Sequence, residues 1–380
     1  MKPRARPGRV SAKLIFSYVL DWVVIILTAV VGAVFSIITP NKRPFSLADP
    51  DISFPYVVKE KISTSTLVLC GLVAPGVIIF IVSMIFVPGP AVSKSTPKSL
   101  IWRRKLWEWH QGWLGLGLSL ASAFLITDGM KNLFGRPRPD LLSRCNPDLA
   151  NASKYAIGEV GNLVTAAICQ NTDKSIMNDG FRSFPSGHSS FSSAGLNYLS
   201  LFLASKLSLT IPYLPHSPSN PNTPASSPSL LRAHSASPPL YLLIPTIIPF
   251  LSSIYIVSTR FSDFRHHAFD ILFGYFLGTS CALFAFRYYH LPLSRGAGWA
   301  WGPRSAARAF WAGVGVGSYV GDEHATAGAD QDGGADYLLR ELTTNNEGSA
   351  NHGFMTSSDV EAAAATASAS ASARGIMPGY

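Results

Sequence analysis

Six apolar stretches, each near the length needed to cross a bilayer, constrain this chain more than any other feature. They run Leu14–Thr39, Thr64–Val87, Trp109–Met130, Ser189–Ser205, Leu240–Ser258 and Phe269–Arg287. Hydrocarbon offers no partner to backbone N–H and C=O groups, so segments of this kind cross as helices. A soluble bundle does not account for uninterrupted runs such as Val23–Ile38 or Val77–Val87. Only 14% of the 380 residues are charged, against 47% hydrophobic, which agrees. The expected fold class is all-α: an integral membrane bundle of six transmembrane helices. The basic leader Lys2, Arg4, Arg6, Arg9 and Lys13 resembles the start of a signal peptide. The apolar stretch behind it is too long for one and no small-residue cleavage site follows, so it reads as a retained first helix.

Charge placement sets the topology. The leader and the segment with Lys94, Lys98, Arg103, Arg104 and Lys105 belong on one face if the spans alternate, and the positive-inside rule makes that face cytosolic. Arg287, Arg295, Arg304 and Arg308 return to it. The large loop Lys131–His188 and the short loop Thr259–His267 then share the opposite face. Asn151-Ala152-Ser153 is a glycosylation sequon in the large loop, in keeping with a non-cytosolic side. Cys145 and Cys169 lie in that loop too; they pair if it faces an oxidising space and are free thiols otherwise. Four cysteines are too few for a disulfide scaffold. The net charge of +9 gathers at membrane edges, which points to anionic lipid rather than nucleic acid, and no nucleic-acid motif is present. The expected organisation is a leader (1–13), a six-helix domain (14–290) and a tail (291–380). A Pro/Ser/Asn-rich insert (207–239) and the tail are expected to be disordered, save a short helix near Tyr337–Leu342. The organelle (vacuole, ER, Golgi or plasma membrane) and the oligomeric state stay open.

Three clusters carry chemistry, all at span ends on the non-cytosolic face. The first closes the third stretch: Asp128-Gly-Met-Lys131-Asn-Leu-Phe-Gly135-Arg136-Pro137-Arg138-Pro139. Arginine offers a planar fork to phosphate oxygens and lysine a point charge. A charged interfacial anchor is the alternative for this cluster taken alone. The second, Phe181-Arg182-Ser183-Phe184-Pro185-Ser186-Gly187-His188, opens the fourth stretch. It offers an N-cap in Ser186, a free amide at Gly187 and a proton donor in His188; a merely capped helix start is the alternative. The third is Ser258-Thr-Arg260-Phe-Ser-Asp-Phe-Arg265-His266-His267-Ala-Phe-Asp270. Spacing of four sets His266 and Asp270 on one helix face, where a carboxylate can hold an imidazole in one tautomer. By spacing alone His267 competes as the nucleophile.

Lys131-x6-Arg138-Pro139, Pro185-Ser186-Gly187-His188 and Arg260-x5-His266-x3-Asp270 reproduce the three-part signature of the type 2 phosphatidic acid phosphatases. The chain resembles that superfamily from about Leu14 to Tyr289, and looks closest to fungal and plant phosphatases of diacylglycerol pyrophosphate and phosphatidate. It departs in having Thr259 where serine is usual. The resemblance implies His266 as nucleophile through a phosphohistidine, with Asp270 orienting it. It implies His188 as general acid and then base, and Lys131, Arg138, Ser186, Gly187 and Arg260 as the phosphate site. Asp263, Arg136 and Arg182 fall in supporting or surface positions. The loop carboxylates Asp140, Asp148, Glu159, Asp173 and Asp179 show no ligand spacing, so neither metal nor cofactor is expected. The expected partners are a lipid phosphate and the bilayer. Other readings are a phosphatase for sphingoid-base phosphates, isoprenoid diphosphates or glucose 6-phosphate, a soluble vanadium haloperoxidase, and a catalytically silent scaffold or transporter.

Overall fold

The computed structural model describes residues 11–89, 92, 95–158, 162–209, 237–293, 298–304 and 309–310. The chain divides into two units. Ile15–Gly302 forms one; the other, Met1–Leu14 with Pro303–Tyr380, lies almost entirely outside the described residues. The bulk of the insert (210–236) and the expected helix near Tyr337–Leu342 also fall outside them.

Six long helices make the bundle among the described residues: α1 (Ala12–Ile37), α2 (Thr64–Phe86, with a π-helical turn at Leu69–Val73) and α3 (Lys98–Phe134), then, after two short loop helices α4 (Leu141–Cys145) and α5 (Lys174–Gly180), α6 (Gly187–Lys206), α7 (Leu243–Ser262) and α8 (Ala268–Tyr289). Five of the six are long and apolar enough to span a bilayer. They present rows of exposed large apolar side chains, such as Val19, Val23, Leu27, Val30 and Val34 on α1 and Phe269, Leu272, Phe276 and Leu283 on α8. In a protein with this many spans such rows are the lipid-facing surface.

The sixth, α6, differs for a physical reason. It is the central helix, buried along most of its length, and needs no lipid-facing stripe. Ser189, Ser190, Ser192, Ser193 and Asn197 are all buried on it. The Ser192 and Ser193 hydroxyls donate to carbonyls one turn back, and Asn197 donates to Thr279 Oγ1 at 2.8 Å and accepts from Ser253. Small side chains let neighbours approach closely, as membrane helix pairs require. A Cβ on Gly195 would meet the Gly71 carbonyl of α2, and one on Gly278 of α8 would meet the Ser190 carbonyl. Tyr198, Phe202, Leu116, Ile79 and Phe286 fill the core around this helix.

Two boundaries differ from expectation. Helix α3 begins at Lys98, three turns before the apolar stretch, so Arg103, Arg104 and Lys105 are helical instead of lying in a loop. Charge hid these three turns of the helix, because apolar content marks only the part inside hydrocarbon. The tail also stays with the bundle past residue 291. Leu291 N–H donates to Trp299 O, Trp301 N–H to Tyr289 O, and Trp107 Nε1 to Trp301 O. The Ala300 amide meets Glu108, whose carboxylate pairs with buried Lys206 at 2.5 Å.

The large loop between α3 and α6 folds together with the connection between α1 and α2. Strands β1 (Phe45–Ser46), β2 (Ala156–Ile157) and β3 (Leu163–Val164) form a small antiparallel sheet in the order β1-β3-β2. Phe45, Ile52, Leu141, Val164, Met177 and Phe181 make its core, and Cys145 is disulfide-bonded to Cys169. This second core positions the loop residues over the ends of the helices.

Two outcomes follow. Under denaturing, non-reducing conditions a maleimide should label two thiols, Cys70 and Cys281, and all four cysteines after reduction. Gly195→Ala should lower stability in detergent by about 1–3 kcal/mol, because the added carbon meets backbone that cannot yield; thermal unfolding measures it.

Candidate active site

The three sequence clusters meet at one end of the bundle. The Ser186 amide donates to Asp270 O at 3.1 Å, joining the start of α6 to the start of α8. The Ser183 amide donates to Arg136 O at 3.1 Å, joining the chain after α3 to the approach to α6. Arg136 itself reaches Asp270 Oδ1 at 2.6 Å. The Lys131 ammonium lies against Gly187, where a Cβ would come within 2.7 Å of Nζ.

His266 is almost fully buried, and its Nδ1 lies 2.6 Å from Ser183 O. A carbonyl only accepts, so Nδ1 carries the proton and Nε2 keeps its lone pair. Burial pushes the imidazole well below its usual pKa, and the Arg138 and Lys131 charges push it further. The ring is therefore neutral near pH 7, with a bare nitrogen among cations.

The expected direct pairing of His266 with Asp270 is not what the structure holds. α8 starts at Ala268 with His267 as its N-cap, so His266 precedes the helix and the four-residue spacing does not bring it onto the Asp270 face. Phe264 turns the chain with φ 53°, a left-handed conformation that costs a non-glycine residue on the order of 1–3 kcal/mol. Phe54 stacks on its ring with centroids 4.9 Å apart, and the Arg265 amide bonds Arg260 O. Asp270 caps the helix instead, accepting from the His267 amide at 3.3 Å and lying 3.1 Å from His267 Nδ1. It also accepts from Ser183 Oγ at 2.5 Å. Ser183 thus links the two expected partners: its hydroxyl holds Asp270 and its carbonyl holds His266.

His188, in the first turn of α6, sets Nε2 against Ile62 O at 3.1 Å. That nitrogen donates, which leaves Nδ1 as the atom that gains and loses a proton. Burial, with the Arg260, Lys131 and Arg138 charges adding to it, lowers the pKa of this ring to about 3; a phosphate dianion beside those cations opposes their effect and favours the protonated ring. Ser186 occupies the N-cap position, yet its side chain caps nothing; the buried Oγ has no hydrogen-bond partner among the described residues. Arg138 Nε is buried and unpartnered in the same way. Buried donors without partners cost free energy unless something fills them. Together with the free amides of the α6 N-terminus they form a ready anion seat.

Carboxylates surround these cations. Lys131 meets Asp128 at 3.2 Å and Arg138 meets Asp179 at 2.7 Å. Asp179 also meets Arg144 and Arg265. Burial alone would raise its pKa, but Arg138, Arg144 and Arg265 outweigh that and hold it at about 2. Arg260 lies between Asp263 at 3.1 Å and Glu60 at 2.7 Å, and Glu60 continues to Arg265 at 2.9 Å. Glu60, Ser183 and Asp179 were not singled out by the sequence: Glu60 lies in a connection without a motif, Ser183 sits within the second cluster at no recognisable spacing, and Asp179 acts from the short helix α5. Arg136 is more than a surface cation, being bound to Asp270, and Asp263 is buried against Arg260. Arg182 points elsewhere, donating to Ser36 O and Ile38 O at the end of α1. Among the described residues no group of three or more His, Cys, Asp or Glu side chains is placed to hold a metal ion.

This arrangement, a neutral imidazole beside three cations, a proton carrier and a helix N-terminus at the ends of membrane helices, has counterparts among known proteins. Residues 112–292 match the PAP2 superfamily. The chain carries a PAP2 superfamily domain. It is similar to the probable diacylglycerol pyrophosphate phosphatase 1 of Schizosaccharomyces pombe, 29% identical over 74% of this chain and 84% of that one. The diacylglycerol pyrophosphate phosphatase 1 of Saccharomyces cerevisiae is 29% identical over 65% of this chain and 71% of its own length. Lipid phosphate phosphatase 2 of Arabidopsis thaliana is 28% identical over 73% and 79%. No solved structure matches the chain. The apolar helices and this PAP2 domain together make it an integral membrane protein.

Gly187→Ala should test the seat without disturbing the fold. The added carbon crowds only the far end of the Lys131 side chain and meets the Thr127 methyl at ordinary contact distance, so unfolding temperature should hardly change. Displacing that charge should weaken competitive inhibition by vanadate about tenfold, the loss expected for one misplaced charged contact.

Proposed function

We propose that this protein is a lipid phosphate phosphatase acting on phosphatidate, diacylglycerol pyrophosphate and related lipid phosphates through a phosphohistidine. The observation that carries the reading is the bare Nε2 of His266, fixed by the Ser183 carbonyl within reach of the Lys131 and Arg138 charges. Nε2 attacks phosphorus as the bond to the lipid or leaving phosphate oxygen breaks. His188 gives that oxygen its proton. Water, deprotonated by His188, then attacks the phosphohistidine, the N–P bond breaks, and inorganic phosphate leaves. Lys131, Arg138 and Arg260 neutralise the phosphoryl oxygens, with the Ser186 hydroxyl and Gly187 amide completing the seat. Phosphoryl transfer depends chiefly on such positioned charge. Three fixed cations supply what a divalent metal supplies elsewhere, so turnover needs none.

The site faces the non-cytosolic side. Its support is the disulfide in the loop that carries Arg138 and Asp179, which requires an oxidising compartment, together with the exposed sequon at Asn151 and the basic cytosolic segments. Helix ends there hold the headgroup at the interface while acyl chains stay among the exposed apolar side chains of the bundle.

Phosphate release in excess EDTA, across phosphatidate, diacylglycerol pyrophosphate, a sphingoid-base phosphate and an isoprenoid diphosphate, tests this. Activity should persist in EDTA and be strongest on the glycerolipids. His266→Ala should lose at least about 10³-fold, as removal of a covalent nucleophile does, whereas His267→Ala should lose only about tenfold through looser capping of Asp270. The reverse ranking would move the nucleophile to His267.

A further inference from the structure

The segment Glu60-Lys61-Ile62, between α1 and α2, touches the site at each successive residue. Ile62 O holds His188 Nε2. The Lys61 amide donates to Asp263 Oδ2 at 3.0 Å. Glu60 Oε2 takes Arg260 NH1 at 2.7 Å and Oε1 takes Arg265 NH2 at 2.9 Å, while Oε2 stands 3.8 Å from His188 Nε2.

Arg260 is 1% exposed and nearly saturated. Its Nε donates to Thr259 Oγ1, its NH2 to Thr259 Oγ1 and Asp263, and its NH1 to Glu60. With four of the five N–H groups taken, an arriving phosphate can engage this guanidinium through more than one donor only if an anion withdraws. Asp263 is 2% exposed, sits one turn away and is pinned by the Lys61 amide. Glu60 is 25% exposed, lies on a connecting segment and bonds through a flexible side chain. On the Arg138 side Asp179 is more exposed, at 41%, but three arginines hold it. Glu60 is the anion placed to leave.

We propose that Glu60 is a resident monoanion at the phosphoryl seat and that this makes the site selective for dianionic phosphate over phosphodiesters. This rests on the phosphatase reading above. Exchanging one carboxylate for one monoanionic phosphodiester yields no net Coulomb gain at Lys131, Arg138 and Arg260. Exchanging it for a dianion doubles the charge facing the same cations, and the gain scales with that charge. A pocket of three cations at a bilayer surface is otherwise exposed to every phosphodiester headgroup nearby. Selectivity here comes from making the wrong ligand displace something already well bound.

Ligand-induced shifts of thermal unfolding of the purified full-length protein in detergent, with orthovanadate, inorganic phosphate and dimethyl phosphate as probes, decide it without needing turnover. The wild-type protein should respond to vanadate and phosphate and not to dimethyl phosphate. Glu60→Gln should bind phosphate at least about fivefold more tightly and gain a response to dimethyl phosphate, since a neutral amide no longer competes for Arg260. Glu60→Asp, which keeps the charge but withdraws it from Arg260, should tighten phosphate binding by a smaller factor. Unchanged or weaker phosphate binding by Glu60→Gln, with a normal wild-type response, overturns the exchange and leaves the phosphatase reading intact. A wild-type protein blind to vanadate and phosphate overturns both. If neither variant purifies folded, Glu60 is a structural post and the exchange is overturned.

Discussion

Positive charge concentrated at one end of a bundle of apolar helices is the constraint on which this structure turns. The Arg138 and Arg260 guanidiniums and the Lys131 ammonium crowd beside two imidazoles at the ends of four helices, and the three cations repel one another. Like charges about 4 Å apart cost about 4 kcal/mol at the effective dielectric of a protein surface. The repulsion is met by an arc of alternating sign: Arg138, Asp179, Arg265, Glu60, Arg260. Its members come from the chain after α3, from α5, from the turn before α8, from the α1–α2 connection and from the end of α7. The arc therefore gathers three separate inter-helix connections and the end of α7 as well as balancing charge. Removing one member would leave a buried partner uncompensated, which is far costlier than the pair is stabilising.

Beneath the arc, packing fixes the helix ends to the required positions. α6 stands at the centre with serine, glycine and asparagine on its faces, and α8 and α2 approach it at Gly278, Gly195 and Gly71 until backbone touches backbone. Close approach at these glycines places the first turn of α6 beside the first turn of α8, where Ser186 bonds Asp270. Ser183 then transmits the fixed position of Asp270 to His266, with its hydroxyl on one and its carbonyl on the other. The imidazole tautomer is thereby set by backbone, the least mobile partner available. The same geometry separates two surfaces: apolar side chains line the flanks of the bundle, and the charged groups gather at the helix termini.

Much of this was legible in the chain. The apolar stretches located the helices to within a few residues where hydrocarbon governs, because partitioning acts on composition segment by segment. It failed at the first three turns of α3, which are charged, and at 298–302, where hydrogen bonds to Tyr289 and Glu108 hold a segment whose composition shows no core. α6 was found despite its polarity, since its burial among other helices makes serine acceptable there. The spacing argument for His266 and Asp270 assumed that both lie on one helix. The left-handed Phe264 and the N-cap at His267 decide otherwise, and neither leaves a pattern in sequence.

Residue types and their order determined what this protein carries: apolar helices long enough to span a membrane, and three clusters of cations and histidines at helix ends. Those are local properties, set by hydrophobicity, charge and spacing along the chain. Which groups touch was decided only by tertiary structure. That Asp270 reaches His266 through Ser183, that Cys145 finds Cys169 across a folded loop, and that Glu60 lies on Arg260 two hundred residues away are outcomes of packing. The physical reason is that an ion pair or hydrogen bond depends on distances of a few ångströms, and those distances are fixed by how helices and loops settle together.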